Sequence, residues 1–278
     1  MNKPRYPIYI PSKDRADVCY TANFFIKDDV DFKIVVEPSQ KKAYENIFGS
    51  ERLLILPENG LRLLGSRLWI RDHSLSLGYD RHWQFDDNIR WIGRYHKGKK
   101  IRTDSNTAIA VVEDFTDRYT NIGLFGFNYD MFIVNGTCPK PYILNYKVYS
   151  GSLINNRMPH KWRLYYNDDT DLCLQCLKND LCTVQFNAFH IKKIKTMLVK
   201  GGNTDDLYQK DGRLLMARAL EEVHPDCVQT KWRFDRPQHV VDWKQFKHLK
   251  LIRRKDINWE ELENKTNNYG LELKQLKK

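Results

Sequence analysis

Nowhere among the 278 residues do about 18 consecutive apolar side chains occur, the length a helix needs to cross a bilayer, so no membrane span is expected. The opening MNKPRYPIYIPSKDR holds only a short apolar stretch, Pro7 to Ile10, so no signal peptide is expected either. Cysteine is sparse, with 6 in the chain, and Cys173, Cys176 and Cys182 fall in or beside an amphipathic helical stretch. That pattern argues against a secreted disulfide framework and fits a reducing cytosol. Cys173 and Cys176 have metal-type spacing, but no second pair follows, so buried helix thiols are expected there in place of a zinc site. Internal repeats and low-complexity segments are absent.

Aromatics are plentiful: 7 Trp, 15 Tyr and 13 Phe stand within a hydrophobic fraction of 41%, which excludes a disordered chain. The length suits one large domain, placed at residues 1–243, with a basic tail over 244–278. Ten basic against six acidic residues give the stretch 240–278 a charge of +4, and a surface helix pair or a partly mobile segment is expected. Over the whole chain 46 Lys and Arg face 35 Asp and Glu, a surplus of +11. A polyanionic partner suits such a surplus, because each neutralised phosphate releases counterions; solubility alone explains it in many basic proteins.

The first ninety residues alternate short β-rich runs with helical stretches, the pattern of a parallel α/β sheet. Strands are predicted over 7–10, 32–36, 52–56 and 82–85, and helices over 18–25, 39–48 and 60–78. The fourth strand runs straight into Asp86, Asp87 and Asn88, so this acidic cluster sits at the carboxyl end of a strand, the edge where open α/β sheets bind ligands. The stretch from Arg90 to Arg102 then holds six Lys or Arg in thirteen residues with no acid, and reads as a basic loop. Further on, a helix over 106–119, a strand over 122–127, extended segments over 130–134 and 142–148, a break at Asn155 and Asn156, a helix over 169–181 and a strand over 186–190 are expected. Gly201, Gly202 and Asn203 mark a turn before a helix over 207–223.

Asp168, Asp169 and Asp171 form a second acidic cluster at the start of a helix. Clustered carboxylates repel one another unless a cation or hydrogen-bond donors neutralise them. Helix capping by Asp169 or Thr170 accounts for the second cluster, and a solvated turn for the first. Taken together, a strand-end acidic cluster and a later acidic helix start are also a recurring layout in nucleotide-sugar glycosyltransferases. The chemistry needs both: a hard cation stabilises the leaving diphosphate, and a base takes the proton of an alcohol acceptor.

Five motifs carry a further likeness: IYIPSKDR at 8–15, FDDNI at 85–89, YYNDDTDLCLQCL at 165–177, KGGNTDDLY at 200–208 and QHVVDW at 238–243. Their order and spacing resemble the TET-associated glycosyltransferase family, which is similar to the kinetoplastid base J glucosyltransferase and to phage enzymes that glycosylate hydroxymethylated pyrimidines in DNA. The resemblance implies a GT-A type fold, with a mostly parallel Rossmann-like sheet and flanking helices, that uses a UDP-sugar with Mn2+ or Mg2+. It implies nucleotide contacts from Pro11, Ser12 and Arg15, with Glu37 near the uridine, and donor contacts from Arg67 and Arg71. Asp86 would approach the ribose or sugar, and Asp87 or Asn88 the metal, although Asn88 stands where the family motif has Asp. His239 would be a late metal ligand, with His190 in reserve. Asp169 would be the base of a single inverting displacement, with Asp168 as the alternative.

The acceptor implied is DNA carrying a hydroxymethylated pyrimidine, foremost 5-hydroxymethylcytosine. Arg90, Arg94, Lys97, Lys99, Lys100 and Arg102, with Trp91 and Tyr95 between them, are candidates to hold it. The phage likeness places the protein in the cytoplasm of an infected bacterium. Other readings are a GT-A enzyme acting on a glycan, lipid-linked or protein acceptor, an inactive nucleic-acid-binding relative, and a two-metal nuclease.

Overall fold

A computed structural model describes residues 3–137, 139–194, 212–267, 269, 270 and 272 of the chain. Strands β1 (Ile8–Pro11), β2 (Lys33–Val36) and β3 (Leu53–Ile55) alternate with helices α1 (Tyr20–Lys27) and α2 (Lys41–Phe48), and α3 (Arg62–Ser76) leads into β4 (Arg81–Phe85). The chain continues through β5 (Ile89–His96), β6 (Lys99–Arg102), α4 (Ser105–Thr116), β7 (Ile122–Tyr129), β8 (Tyr142–Leu144), β9 (Gly151–Asn155), α5 (Asp168–Lys178) and β10 (Cys182–Lys193). It then forms α6 (Gly212–Val223), a hairpin of β11 (Val228–Arg233) and β12 (Arg236–Val241), and the short helix α7 (Trp259–Leu262).

The main sheet has ten strands in the order β3-β2-β1-β4-β9-β7-β10-β5-β6, with β8 on β10. The β3-β2-β1-β4 half is parallel throughout, as the alternating pattern predicts. The centres of β1 and β2 read as unbroken apolar runs because helices cover both faces: Ile8, Tyr9, Ile10, Ile34, Val35 and Val36 are all buried, whereas β4 carries Arg81, His82 and Gln84. Beyond β4, β9 runs antiparallel between β4 and β7, while β10 is parallel to β7. Most strands therefore point one way, with β5, β8 and β9 reversed. The fold class is mixed α/β with a large, mostly parallel sheet. Trp83, Phe85 and Phe127 stack across its centre, with ring centroids 5.2 Å and 5.7 Å from Trp83.

Several expectations are corrected. The basic stretch 90–102 is not a loop but the hairpin β5–β6, paired along the upper part of β10. Its alternation is hidden in the sequence because charges stand on both faces of the hairpin, Arg94 beside Ile92 and Ile101 on one and Lys100 and Arg102 on the other. The break at Asn155 and Asn156 is the end of strand β9, and the strand predicted over 186–190 is part of the 12-residue β10. The segment 130–134 opens with a 3-10 turn, Asp130–Phe132. The tail is no helix pair: among its described residues one 3-10 turn, Trp243–Phe246, and α7 are helical. It straps onto the domain instead, with Thr120 N–H bonded to Ile252 O at 3.0 Å and Asn145 bonded to Phe246 O and Leu249 O at 2.9 and 3.0 Å. The turn at Gly201, Gly202 and Asn203, the KGGNTDDLY motif and the start of the predicted 207–223 helix lie outside the described residues. No described helix is long and apolar enough to cross a membrane.

One glycine decides how β4 delivers the acidic cluster. Gly151 faces Phe85 across the β4–β9 ladder, and a Cβ on Gly151 would lie 2.8 Å from the Phe85 ring. The close approach lets Asp86 N–H bond to Ser150 O at 2.7 Å. Gly151→Val is expected to destabilise the protein by about 1–3 kcal/mol through overpacking, read as a lower urea midpoint with an unchanged m-value.

Candidate active site

Asp86 ends the extended run of β4 and Asp87 opens the turn into β5, and their side chains part. Asp87 turns to the loop after β1, where its carboxylate accepts hydrogen bonds from Ser12 Oγ at 2.7 Å and Arg15 Nη1 at 2.9 Å. Tyr44 OH meets the same Ser12 Oγ at 2.7 Å. Pro11 ends β1 just before Ser12. Glu37 follows β2, accepts from Gly60 N–H at 3.0 Å and pairs with Lys13 at 3.1 Å. Pro11, Ser12, Arg15, Glu37 and Asp87 thus gather where β1, β2 and β4 end, the edge at which doubly wound sheets take nucleotides. Burial lifts the Asp87 carboxyl above its ordinary range, against the pull of Arg15 and Ser12.

Asp86 faces a different group. Its Oδ2 accepts from Lys193 Nζ at 2.6 Å, and its Oδ1 lies 4.0 Å from Arg67 Nη2. Lys193, the last residue of β10, also donates to Ser150 Oγ at 2.9 Å, and that hydroxyl meets Tyr129 OH at 2.6 Å. Burial alone would raise the Asp86 pKa, but Lys193 and Arg67 outweigh it and hold the acid below its ordinary value. For Lys193 burial opposes charging, and Asp86 reverses that effect, so the ammonium persists.

Arg67 on α3 joins the two acidic clusters. It donates to Gln84 Oε1 at 3.0 Å, lies 5.0 Å from the centre of the Trp162 ring, and approaches Asp168 Oδ2 to 2.9 Å with Nε, a contact without hydrogen-bond direction. The N-cap of α5 is Asn167, in the left-handed region at φ 52, and neither Asp169 nor Thr170 as the capping pattern suggests. Asn167 instead donates to Met216 O at 2.8 Å, which leaves all three acids in the first turn at the positive end of the helix. Asp169 Oδ1 accepts from Thr170 N–H at 2.7 Å, and the residue lines one cavity with Asp86, Arg67, Gln84, Ser150 and Trp162. Asp171 points away, buried against His224 Nε2 at 2.7 Å and Arg163 Nη2 at 2.9 Å, and ties α5 to the end of α6.

Burial pushes Asp168 up to about 6 from 3.8; Arg67 opposes the rise, and Asp169 and Asp86 add to it. Its folded value lies above its unfolded one, so its contribution to stability is complete below pH 3.8 and is lost as pH rises through about 6. Asp168→Asn is therefore expected to melt higher than the wild type at pH 7 and level with it near pH 4, as differential scanning fluorimetry across that window would read.

His239 lies half-buried on β12. Burial keeps its imidazole neutral, and the charges that act on it are Asp169 and Lys147. Asn88 Oδ1 is buried without a partner. These residues fit a hard cation in part. Asn88 Oδ1 and neutral His239 have lone pairs to offer, and of the two acids Asp87 is committed to Ser12 and Arg15 while Asp86 is committed to Lys193 through Oδ2 and keeps Oδ1, 4.0 Å from Arg67. His190 stands apart, 3.4 Å from Asp130, with burial pushing it down to about 4. A group of three metal-ligating side chains does occur behind α5, at His224, Asp226 and Cys227. Cys173 and Cys176 are buried in α5, and burial raises both thiols.

Arg71 is not brought into the cavity and pairs with its neighbour Asp72 at 2.9 Å. Of the basic stretch, Arg90 lies over the Tyr20 ring at 5.6 Å, Arg94 reaches Tyr269 O at 3.4 Å, Lys100 pairs with Asp130 at 3.4 Å and Arg102 with Asp28 at 3.2 Å. Lys97 and Lys99 are exposed at the hairpin turn. At about 3.4 Å per residue, the 8 residues of β5 carry that turn roughly 27 Å along the strand from the turn that holds the acids. Lys193, Ser150, Tyr129, Gln84 and Trp162 carry no motif, and reading the sequence misses them.

The sequence profile of the TET-Associated Glycosyltransferase family matches residues 6–202, from the strand before the nucleotide loop past both acidic clusters. The chain belongs to the TET-associated glycosyltransferase family. Comparison with curated proteins gives no match. Among solved structures, this TET-associated glycosyltransferase is similar to a protein from Desulfovibrio desulfuricans G20 described as a nucleotide-diphospho-sugar transferase, at 9% identity and a TM-score of 0.42, over 80% of this chain and 98% of the other. Three of the five motifs lie wholly within the matched span, KGGNTDDLY crosses its end, and QHVVDW, with His239, lies beyond it.

Proposed function

We propose that this glycosyltransferase moves a sugar from a UDP-sugar to the hydroxymethyl group of a modified pyrimidine in DNA, foremost 5-hydroxymethylcytosine. The observation that carries the reading is the cavity lined by Asp86 and Asp169, distant in sequence, with Arg67 in the same lining and in contact with Asp86 and Asp168. Ser12, Arg15 and Glu37 receive the nucleotide, with Asp87 fixing the loop that holds them. Asp169, whose Oδ1 is held by the backbone of its own helix and which lines the cavity, takes the proton of the acceptor hydroxyl. The oxygen of the acceptor hydroxyl bonds to the anomeric carbon as the bond to the diphosphate breaks, so the displacement inverts the centre, with no covalent sugar–enzyme intermediate. Arg67 and Lys193 present positive charge where the leaving diphosphate gathers negative charge. A divalent cation, when bound, supplies further charge neutralisation there, and Asp86, Asn88 and His239 are the residues that would hold it. The acceptor class follows the family resemblance and the net charge of +11.

The test is mass spectrometry of nucleosides from hydroxymethylcytosine DNA incubated with the protein, Mn2+ or Mg2+ and a panel of UDP-sugars, beside unmodified DNA. A mass gain of one sugar on the modified base alone is expected. If neither hydroxymethylcytosine nor hydroxymethyluracil DNA gains mass with any donor, the acceptor is not DNA. Acceptor binding is also expected to weaken steeply with salt, since it rests on phosphate contacts; a flat titration would point to a glycan acceptor.

A further inference from the structure

The tip of the β11–β12 hairpin, residues 231–237, lies outside every motif that drew attention in the sequence, yet it carries exposed aromatic and basic side chains on the same hairpin that bears His239. Its register pairs Thr230 with His239, Lys231 with Gln238, Trp232 with Pro237 and Arg233 with Arg236. Residues directly opposite share a face, and faces alternate along each strand. Trp232 therefore stands on the same face as His239, two residues further along, or roughly 7 Å. The same face carries the pair Val228 and Val241, which pack in one apolar cluster with Leu174 and Leu177 of α5 and Leu220 of α6, so that face looks toward α5, the helix whose first turn holds Asp169. Lys231, Arg233 and Arg236 stand on the opposite face.

The tip gains little from its own chain. Trp232 is 71% exposed and Phe234 83%. Phe234 and Asp235 both adopt positive φ, 53° and 55°, at the two turn positions where Asn-Gly pairs are favoured. Holding a bulky aromatic residue in the left-handed region costs energy that no packing of Phe234 returns. The root, by contrast, is anchored: Thr230 N–H donates to Glu221 Oε2 of α6 at 3.0 Å. The result is a fixed arm with a strained, apolar, positively charged end.

We propose that this hairpin is the acceptor-strand clamp. The base next to the modified pyrimidine stacks on Trp232, Phe234 wedges into the step beyond it, and Lys231, Arg233 and Arg236 meet the phosphates. The occupant is a DNA strand unstacked at the target, because a flat indole face and a row of cations match the two things every such strand offers, a base plane and a backbone. A duplex then has to open at the target, so unpaired or mismatched sites are preferred substrates. The proposal rests on the DNA-acceptor reading above.

The experiment compares wild type, Trp232→Ala, Trp232→Phe and Phe234→Ala on single-stranded and duplex oligonucleotides with one hydroxymethylcytosine, and records UDP-sugar hydrolysis without acceptor as a control for the chemistry. Binding is read separately, by quenching of 2-aminopurine placed beside the modified base. Trp232→Ala is expected to raise the KM for oligonucleotide about 10- to 100-fold and to abolish the quenching, with hydrolysis and melting temperature unchanged and Trp232→Phe close to wild type. Wild-type sugar transfer to the oligonucleotide with an unaltered KM in both Trp232→Ala and Phe234→Ala would overturn the clamp and leave the DNA reading intact. Donor hydrolysis by the wild type without transfer to any oligonucleotide would overturn the DNA reading, and the clamp with it.

Discussion

Asp169→Asn is expected to slow sugar transfer about 10²- to 10⁴-fold, the range a positioned general base supplies, with little change in donor binding. The amide keeps the size of the carboxylate and its bond to Thr170 N–H, so the start of α5 has no reason to unwind. What it loses is the lone-pair charge that accepts the hydroxyl proton. Single-turnover transfer and UDP-sugar calorimetry on the same protein separate the two effects. Normal turnover in Asp169→Asn would pass the role of base to Asp168. The acid limb of kcat/KM would then fall near pH 6, where burial places that carboxyl.

A second large effect is expected from Lys193→Met. Lys193 carries the closest cation to Asp86, in a site where both side chains are mostly covered, 17% and 29% exposed. Removing one member of a buried ion pair leaves the other charge desolvated and unpaired, typically at a cost of about 3–5 kcal/mol. For a chain of this length that corresponds to a fall in melting temperature on the order of 10 °C. Pairing the change with Asp86→Asn is expected to recover much of the stability, since no bare carboxylate then remains. A double-mutant cycle by denaturant melts measures the coupling, and additive effects would show that the pair contributes nothing of its own. Transfer is expected to fall about 10²-fold or more in Lys193→Met, because a preorganised charge at the leaving group acts mainly in the transition state.

The two predictions differ in how visible their residues are in the sequence. Asp169 stands in an acidic run before a helical pattern, and both signals are local. Lys193 ends a strand beside another lysine, and nothing near it marks it as different from Lys192, whose amine pairs with Asp130. The same holds for Ser150 and Gln84, polar residues whose role comes only from their neighbours across β9, β4 and β10. The division of labour between Asp86 and Asp87 was equally hidden. The family resemblance implies a metal role for Asp87 or Asn88 and a ribose or sugar role for Asp86; in the structure Asp87 is committed to Ser12 and Arg15, and Asp86 lines the cavity. Adjacent residues at a strand end diverge according to the turn that follows, and the turn is set by where β5 pairs.

The basic stretch shows how charge and conformation separate. Its composition suggested a nucleic-acid loop, yet as strands β5 and β6 it uses Lys100 and Arg102 on internal acids, while exposed Trp232 and Phe234 lie on the β11–β12 hairpin. Charge counts do not distinguish a cation facing solvent from one facing its own chain.

By itself, the sequence determined the parallel half of the sheet, the strand end that carries Asp86 and Asp87, the helix start that carries Asp168 and Asp169, and the family. All of these depend on local periodicity and on short motifs. The tertiary structure alone decided which acid faces the cavity, that Lys193 and Arg67 neutralise it, and that a hairpin brings Trp232 alongside His239. Each of these is a contact between segments far apart in the chain, and only strand order and register bring such segments together.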